Sequence, residues 1–214
     1  MSDLTDNLTS ISDRIRMSFS VKDAAREKVL PLCREVIRYC SQAIRATHRQ
    51  EFDQAKKLLE SAHNLLNEME QIIMECSELT HAGFIRDAQK EFAEGSITLA
   101  LVTGSSLPSP DELGVDAAAY LNGLGEAAGE LRRYLLDSMR KGDLSRGEEL
   151  LAAMDDIYSV LVTMDFPDAI TMGLRRTTDM VRGVLEKTRS DLTLVIQQKE
   201  LENKLGQFRL DPNT

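Results

Sequence analysis

The 214 residues suffice for one substantial core, and nothing in their pattern marks a second, so a single domain over 1–214 is expected. Hydrophobic residues make up 42%, aromatics 5%, and tryptophan is absent, which argues against a β-sandwich and for leucine- and alanine-packed helices. The net charge of −9 argues against indiscriminate polyanion binding, no apolar run approaches the ~20 residues of a bilayer span, and MSDLTDNLTS lacks a secretory pattern; a soluble, cytoplasmic protein is expected.

The fold class expected is all-α, a bundle of about seven helices. Residues 3–16 read as a short amphipathic helix around Leu4, Leu8, Ile11 and Ile15, with the first 20 residues loosely held. From Val21 to about Thr47 a strong helical pattern sets Val29, Leu32, Val36, Cys40, Ala43 and Ile44 on one side, with a kink or restart expected at Pro31. On the opposite side Arg34, Arg38, Arg45 and Arg49 fall within a stripe of about 60°. From Arg14 to Arg49 nine basic residues stand against three acidic ones, a balance of +6, so the rest of the chain carries −15. Several arginines on one rail would track a phosphate backbone without reading bases, although an ordinary solvated face is an equal reading of the stripe.

Phe52 to Glu75 reads as a further helix, followed by one from about Ala82 to Val102 that Gly104 caps. Ser109-Pro110-Asp111-Glu112 has the form of a capping box with proline in the first turn. The next helix spans about Asp116 to Lys141 and stops at Gly142, and Ser145 to Glu148 reads as a second capping box opening a helix through Leu150, Met154, Ile157 and Leu161. Pro167 opens the last helix, expected to continue to about Leu205. Its apolar surface, Ile170, Leu174, Met180, Val181, Val184, Leu185, Leu192, Val195 and Ile196, is wide enough to suggest subunit packing. Residues 206–214 read as a flexible tail. Cys33, Cys40 and Cys76 have no metal-ligand spacing and read as reduced, buried residues. His48, His63 and His81 form no helical pair and read as ordinary surface or core residues.

The chemistry-bearing residues are acidic. Glu91 and Glu94 are three apart and Glu126 and Glu130 four apart, so each pair shares a helix face. In the second helix Leu121, Leu124, Ala128, Leu131, Leu135 and Met139 form the apolar stripe, and Glu126, Glu130 and Asp137 lie opposite it. On spacing alone an acidic stripe is more often a solvated face than a site.

The segment VDAAAYLNGLGEAAGELRRYLLDSMRKGD, Val115 to Asp143, resembles the signature region of the translin family, with its Tyr-Leu-x-Gly run, Gly-Glu-Leu-x-Arg and helix-ending Gly-Asp. KEFAEG, Lys90 to Gly95, is similar to the Glu-x-x-Glu motif of translin-associated factor X, the nuclease-bearing branch, and the resemblance runs from about Ala25 to Leu205. It implies a prokaryotic, archaeal-type member with a Mg²⁺-dependent endoribonuclease site for single-stranded RNA. Glu91 and Glu94 match the Glu-x-x-Glu pair and Glu130 the glutamate of Gly-Glu-Leu, whereas Glu126 stands where the family has aspartate. These four are the expected catalytic and metal-binding residues, with Mg²⁺, or Mn²⁺ in its place, as the ion, and the family's first long helix makes Arg34, Arg38, Arg45 and Arg49 the expected nucleic-acid contacts. The resemblance further implies a closed shell of about eight subunits with the sites inside.

Clustered carboxylates suit Mg²⁺, a hard ion that prefers oxygen ligands. A non-catalytic single-stranded DNA- or RNA-binding protein of the translin kind is the main alternative, and a helical scaffold without nucleic acid a remote one. A ferritin-like di-iron bundle is disfavoured, because neither Glu91 nor Glu126 has a histidine three residues on.

Overall fold

The structure, a computed structural model, describes residues 7–76, 79 and 82–210. Leu4, His81 and residues 211–214 of the expected tail lie outside the described residues, whereas residues 206–210, expected to belong to that tail, are helical. Among those residues there are eight helices: α1 (Leu8–His48), α2 (Phe52–Glu75), α3 (Gly83–Thr103), α4 (Pro110–Leu113), α5 (Ala117–Arg140), α6 (Gly147–Val162), α7 (Asp168–Thr171) and α8 (Leu174–Leu210). Two of these are single turns, and no strand occurs among the described residues. No helix there is long and apolar enough to cross a membrane.

The two helices expected at the amino-terminal end are one. α1 passes through Pro31 without a break, because Val29, Cys33, Val36 and Cys40 are buried at helical spacing on both sides of the exposed proline and hold both turns against the core. After α1 the chain takes a left-handed residue, Gln50 at φ 63°, while the Glu51 N–H bonds the Ala46 carbonyl at 2.9 Å and closes the helix end. α2 then returns along α1.

α3 lies between α1, α2 and α5. Phe92, Ala93, Ile97, Leu99, Ala100 and Val102 are buried on several sides of it, and Glu94 among them is the one buried charged residue of the described residues. α5 runs beside α3 in the same direction. Gly123 fits against Lys90 and Glu94, and Arg146, just past the end of α5, donates to the Leu101 and Val102 carbonyls near the end of α3. On its other side α5 packs on α8, where Gly125 leaves room for Thr177 and Val181.

The caps at Gly104, Ser109 and Gly142 form as the sequence predicts. The box expected at Ser145 does not. Arg146 is drawn to the α3 carbonyls and to Glu149, the Ser145 N–H donates to the Asp143 carboxylate at 3.0 Å, and α6 starts at Gly147 without a side-chain cap. The last helix is also interrupted. Met172 (φ 52°) and Gly173 (φ 88°) turn the chain between α7 and α8, pinned by the Gly173 N–H donating to Asp168 at 2.8 Å. Only a narrow stripe of α8, Leu174, Val181, Leu185, Thr188 and Leu192, is buried within the chain, while Ile170 and Met180 from the expected apolar face stay exposed. The three cysteines are buried and free, and burial raises the Cys33 and Cys40 thiols far above neutrality.

Candidate metal and nucleic-acid site

Glu91 and Glu94 project from α3 and Glu126 and Glu130 from α5 into one groove of about 530 Å³, whose other lining residues include Ser41, Ile44 and Arg45 of α1, Lys90 of α3 and Arg133 of α5. Glycine decides how close the two helices come. A Cβ on Gly123 would lie 2.7 Å from the Lys90 carbonyl oxygen, 2.9 Å from the Glu94 nitrogen and 2.9 Å from the Ala93 Cβ, so only glycine permits this backbone contact, one turn before Glu126. Gly95 seats the opposite face of α3 on Leu59, 3.1 Å from where its Cβ would be.

The helices thereby bring oxygens of Glu91, Glu94 and Glu126 within 4.8 Å of one another. Glu94 is 8% exposed. Its burial, then the charges of Glu91, Glu126 and Glu130, push the Glu94 carboxyl up to about 8, against the smaller opposing effect of Lys90. Burial also raises Glu91. Three converging oxygens with more negative charge than their surroundings compensate are what a hard divalent cation requires, so these side chains fit Mg²⁺ or Mn²⁺. The extra methylene of Glu126, relative to the family's aspartate, does not carry its carboxylate out of reach of the other two.

Glu130 lies in the same groove, outside the set of three. Its Oε2 is 2.5 Å from His48 Nε2 and 3.7 Å from Arg133. The His48 hydrogen bond holds the Glu130 carboxyl below the usual range, so Glu130 accepts and His48 Nε2 donates. The His48 side chain is 6% exposed, and its Nδ1 has no hydrogen-bond partner among the described residues.

Lys90 is the second participant. Its Nζ is 2.7 Å from Glu126 and 4.0 Å from Glu91. Burial opposes the Lys90 charge, yet the hydrogen bond and charge of Glu126 prevail and raise its pKa. Sequence reading assigned neither residue a role. His48 is 82 positions from its partner, and only its place one turn after Arg45 on the basic helix hinted at the site; Lys90 was visible only as the residue before Glu91.

The arginines predicted as a rail, Arg34, Arg38, Arg45 and Arg49, are all exposed along α1, opposite its core face. They are not equally available. Arg38 pairs with Glu35, and Arg49 with Glu51 at 2.8 Å, whereas Arg45 opens into the carboxylate groove. Arg34 and Arg45 make no ion pair among the described residues.

No family model matches the chain. It is 31% identical over 194 residues to an uncharacterized protein of Methanocaldococcus jannaschii, which covers 88% of this chain and 84% of the relative. Among solved structures, AfC3PO in complex with duplex RNA is 31% identical with a TM-score of 0.78, covering 87% of this chain and 96% of that one. AfC3PO alone is 30% identical with a TM-score of 0.77, over 87% and 97% of the two chains. Apo-NeC3PO, at 19% identity and a TM-score of 0.73 over 91% and 98%, shares the fold.

Proposed function

The chain belongs to the translin family, and from that premise we propose that it binds nucleic acid and cleaves single-stranded RNA internally, with Mg²⁺ held by Glu91, Glu94 and Glu126. The observation that carries this reading is the convergence of three carboxylate oxygens within 4.8 Å at the base of a groove with arginines at its edge. RNA as the polymer is supported by the AfC3PO complex, which holds duplex RNA.

Arg45 and Arg133, both exposed and lining the groove, hold the strand's phosphates beside the carboxylates as charge-assisted hydrogen-bond donors. Arg34, Arg38 and Arg49 extend that contact along α1. Glu130, fixed by His48, supports the site from the α1 side. Glu94 gives up its proton on ion binding, so affinity for the ion rises toward pH 8. When bound, a divalent ion polarises the phosphoryl group and makes a coordinated water more acidic.

Assembly into a closed shell of about eight subunits, with the grooves facing inward, accounts for an acidic chain handling a polyanion: its basic rail faces the cavity and its acidic surface faces out. A second reading, a non-catalytic single-strand-binding protein, has one observation in its favour. Lys90 already supplies a cation to Glu126.

Labelled single-stranded RNA incubated with the purified protein, with and without Mg²⁺, separates the two readings. Cleavage that needs Mg²⁺ and is lost in Glu94→Ala, with binding retained, supports the nuclease; binding without cleavage under every condition supports the second reading. The same oligonucleotide as DNA reports the sugar requirement. Light scattering that gives the mass of a single 23.9 kDa chain at working concentration would remove the shell.

A further inference from the structure

The furrow between α3 and α5 does not end at the carboxylates. Toward the start of both helices it continues into a second cleft of about 670 Å³, floored by Ala118, Ala119 and Asn122 and closed on the far side by the α7–α8 turn and the first turns of α8. Lys90 and Glu126 line both clefts. Because α3 and α5 run in the same direction, the clefts follow one another: Arg86 precedes Glu91 by five residues, about 7.5 Å of helix, and Ala118 to Arg133 spans about 22 Å.

Two guanidiniums face this second cleft, Arg86 from α3 and Arg176 from α8. Neither makes an ion pair among the described residues. Among the described residues the one side-chain partner of Arg86 is the Met172 sulfur, 3.0 Å from its Nη1, and a thioether is a weak acceptor that leaves most of the guanidinium's capacity unused. Three acids also line the cleft, and Glu126 is paired with Lys90. Asp168 already accepts from the Gly173 N–H at 2.8 Å, and Asp87 is exposed at the rim.

The cleft is built rather than incidental. Asn122 is buried at its floor, donating to the Ala118 carbonyl at 2.8 Å and the Thr171 carbonyl at 3.0 Å while accepting from the Thr177 hydroxyl at 2.7 Å, which fixes α7 and α8 to α5. Met172, a non-glycine residue at positive φ, holds the turn that presents its sulfur to Arg86.

We infer that this cleft is a phosphate subsite, in which Arg86 and Arg176 grip the backbone phosphate of a nucleotide flanking the one at the carboxylates. The inference rests on the nucleic-acid reading above and extends it. The strand lies along the α3–α5 furrow with basic groups at both ends, Arg45 and Arg133 beyond the acids in one direction and Arg86 and Arg176 in the other. Lys90 stands at the junction. A furrow that grips the chain on both sides of the acids suits cutting within a strand rather than at its terminus.

The test is binding of a fluorescent single-stranded RNA by anisotropy over a salt series, in Ca²⁺ or EDTA, for wild type, Arg86→Ala/Arg176→Ala and Arg175→Ala. Arg175 is the adjacent exposed arginine and lines a different cleft. The double variant is expected to bind ten-fold or more weakly, with the slope of log K against log salt reduced by about 0.7, the value for one phosphate of a single strand. Arg175→Ala is expected to match wild type. A single methylphosphonate walked along the oligonucleotide should weaken wild type at one flanking position and leave the double variant unaffected there. If the double variant unfolds, Arg176→Gln, on an exposed position, carries the same prediction at smaller size. Wild-type binding with no loss in these variants overturns the subsite and leaves nucleic-acid binding standing; failure of wild type to bind either RNA or DNA overturns both.

Discussion

The charge stored at Glu94 should be measurable as stability. Burial and three neighbouring carboxylates raise this carboxyl from 4.5 to about 8. At about 1.4 kcal/mol per pH decade, ionising it costs the folded chain on the order of 5 kcal/mol above pH 8, as an upper bound. Between pH 4.5 and 8 the folded chain binds more protons at this position than the unfolded chain does, so stability falls as pH rises through that window. Below 4.5 the cost is absent, and above 8 it is complete. Glu94→Gln removes the ionisation while keeping the shape. The variant should equal wild type near pH 4.5 and exceed it by about 2–5 kcal/mol at pH 9, read from urea unfolding by linear extrapolation. Mg²⁺ at pH 9 should stabilise wild type and leave the variant unchanged. A difference between the two proteins that does not vary with pH, or a wild-type stability that stays flat from pH 5 to 9, would mean that Glu94 is not held protonated by the fold.

Three further outcomes follow from the same geometry. Gly123→Ala puts a methyl 2.7 Å from the Lys90 carbonyl oxygen; prying α3 from α5 should cost about 1–3 kcal/mol in urea and weaken Mn²⁺ binding by calorimetry, and an unchanged variant would mean the helix contact is looser than described. Lys90→Met removes the ammonium 2.7 Å from Glu126. Divalent-ion affinity should then rise by about ten-fold or more, since a like charge a few ångströms from the ion is removed, whereas a fall would make Lys90 a support for the site rather than a competitor of the ion. His48→Ala leaves Glu130 without its donor and should lower stability by about 1–3 kcal/mol; thermal unfolding at the wild-type temperature would show that the 2.5 Å contact contributes little.

Much of the architecture was readable in the residues because it is local. Three- and four-residue spacings fix which side chains share a helix face, so the pairing of Glu91 with Glu94 and of Glu126 with Glu130 could be written down directly, and Gly104, Gly142 and Ser109 end or start helices through contacts with their own neighbours. Two departures share a cause: the deciding contact comes from elsewhere in the chain. Pro31 does not break α1 because the core holds the turns on both sides of it. Ser145 loses its capping role because Arg146 is drawn to carbonyls 44 and 45 positions away. The site follows the same division. Spacing puts two acids on each of two helices, but that Glu126 pairs with Lys90 and Glu130 with His48, and that Gly123 admits the backbone contact between them, depends on how α1, α3 and α5 meet.

Side chains from α3 and α5 are proposed to hold a single divalent ion. Crystals soaked with Mn²⁺ above pH 8, where Glu94 is ionised, put this to anomalous diffraction. The expected result is one manganese peak at about 2.0–2.3 Å from carboxylate oxygens of Glu91, Glu94 and Glu126. An empty groove at saturating Mn²⁺, or a peak bound elsewhere with the three carboxylates turned apart, would contradict it.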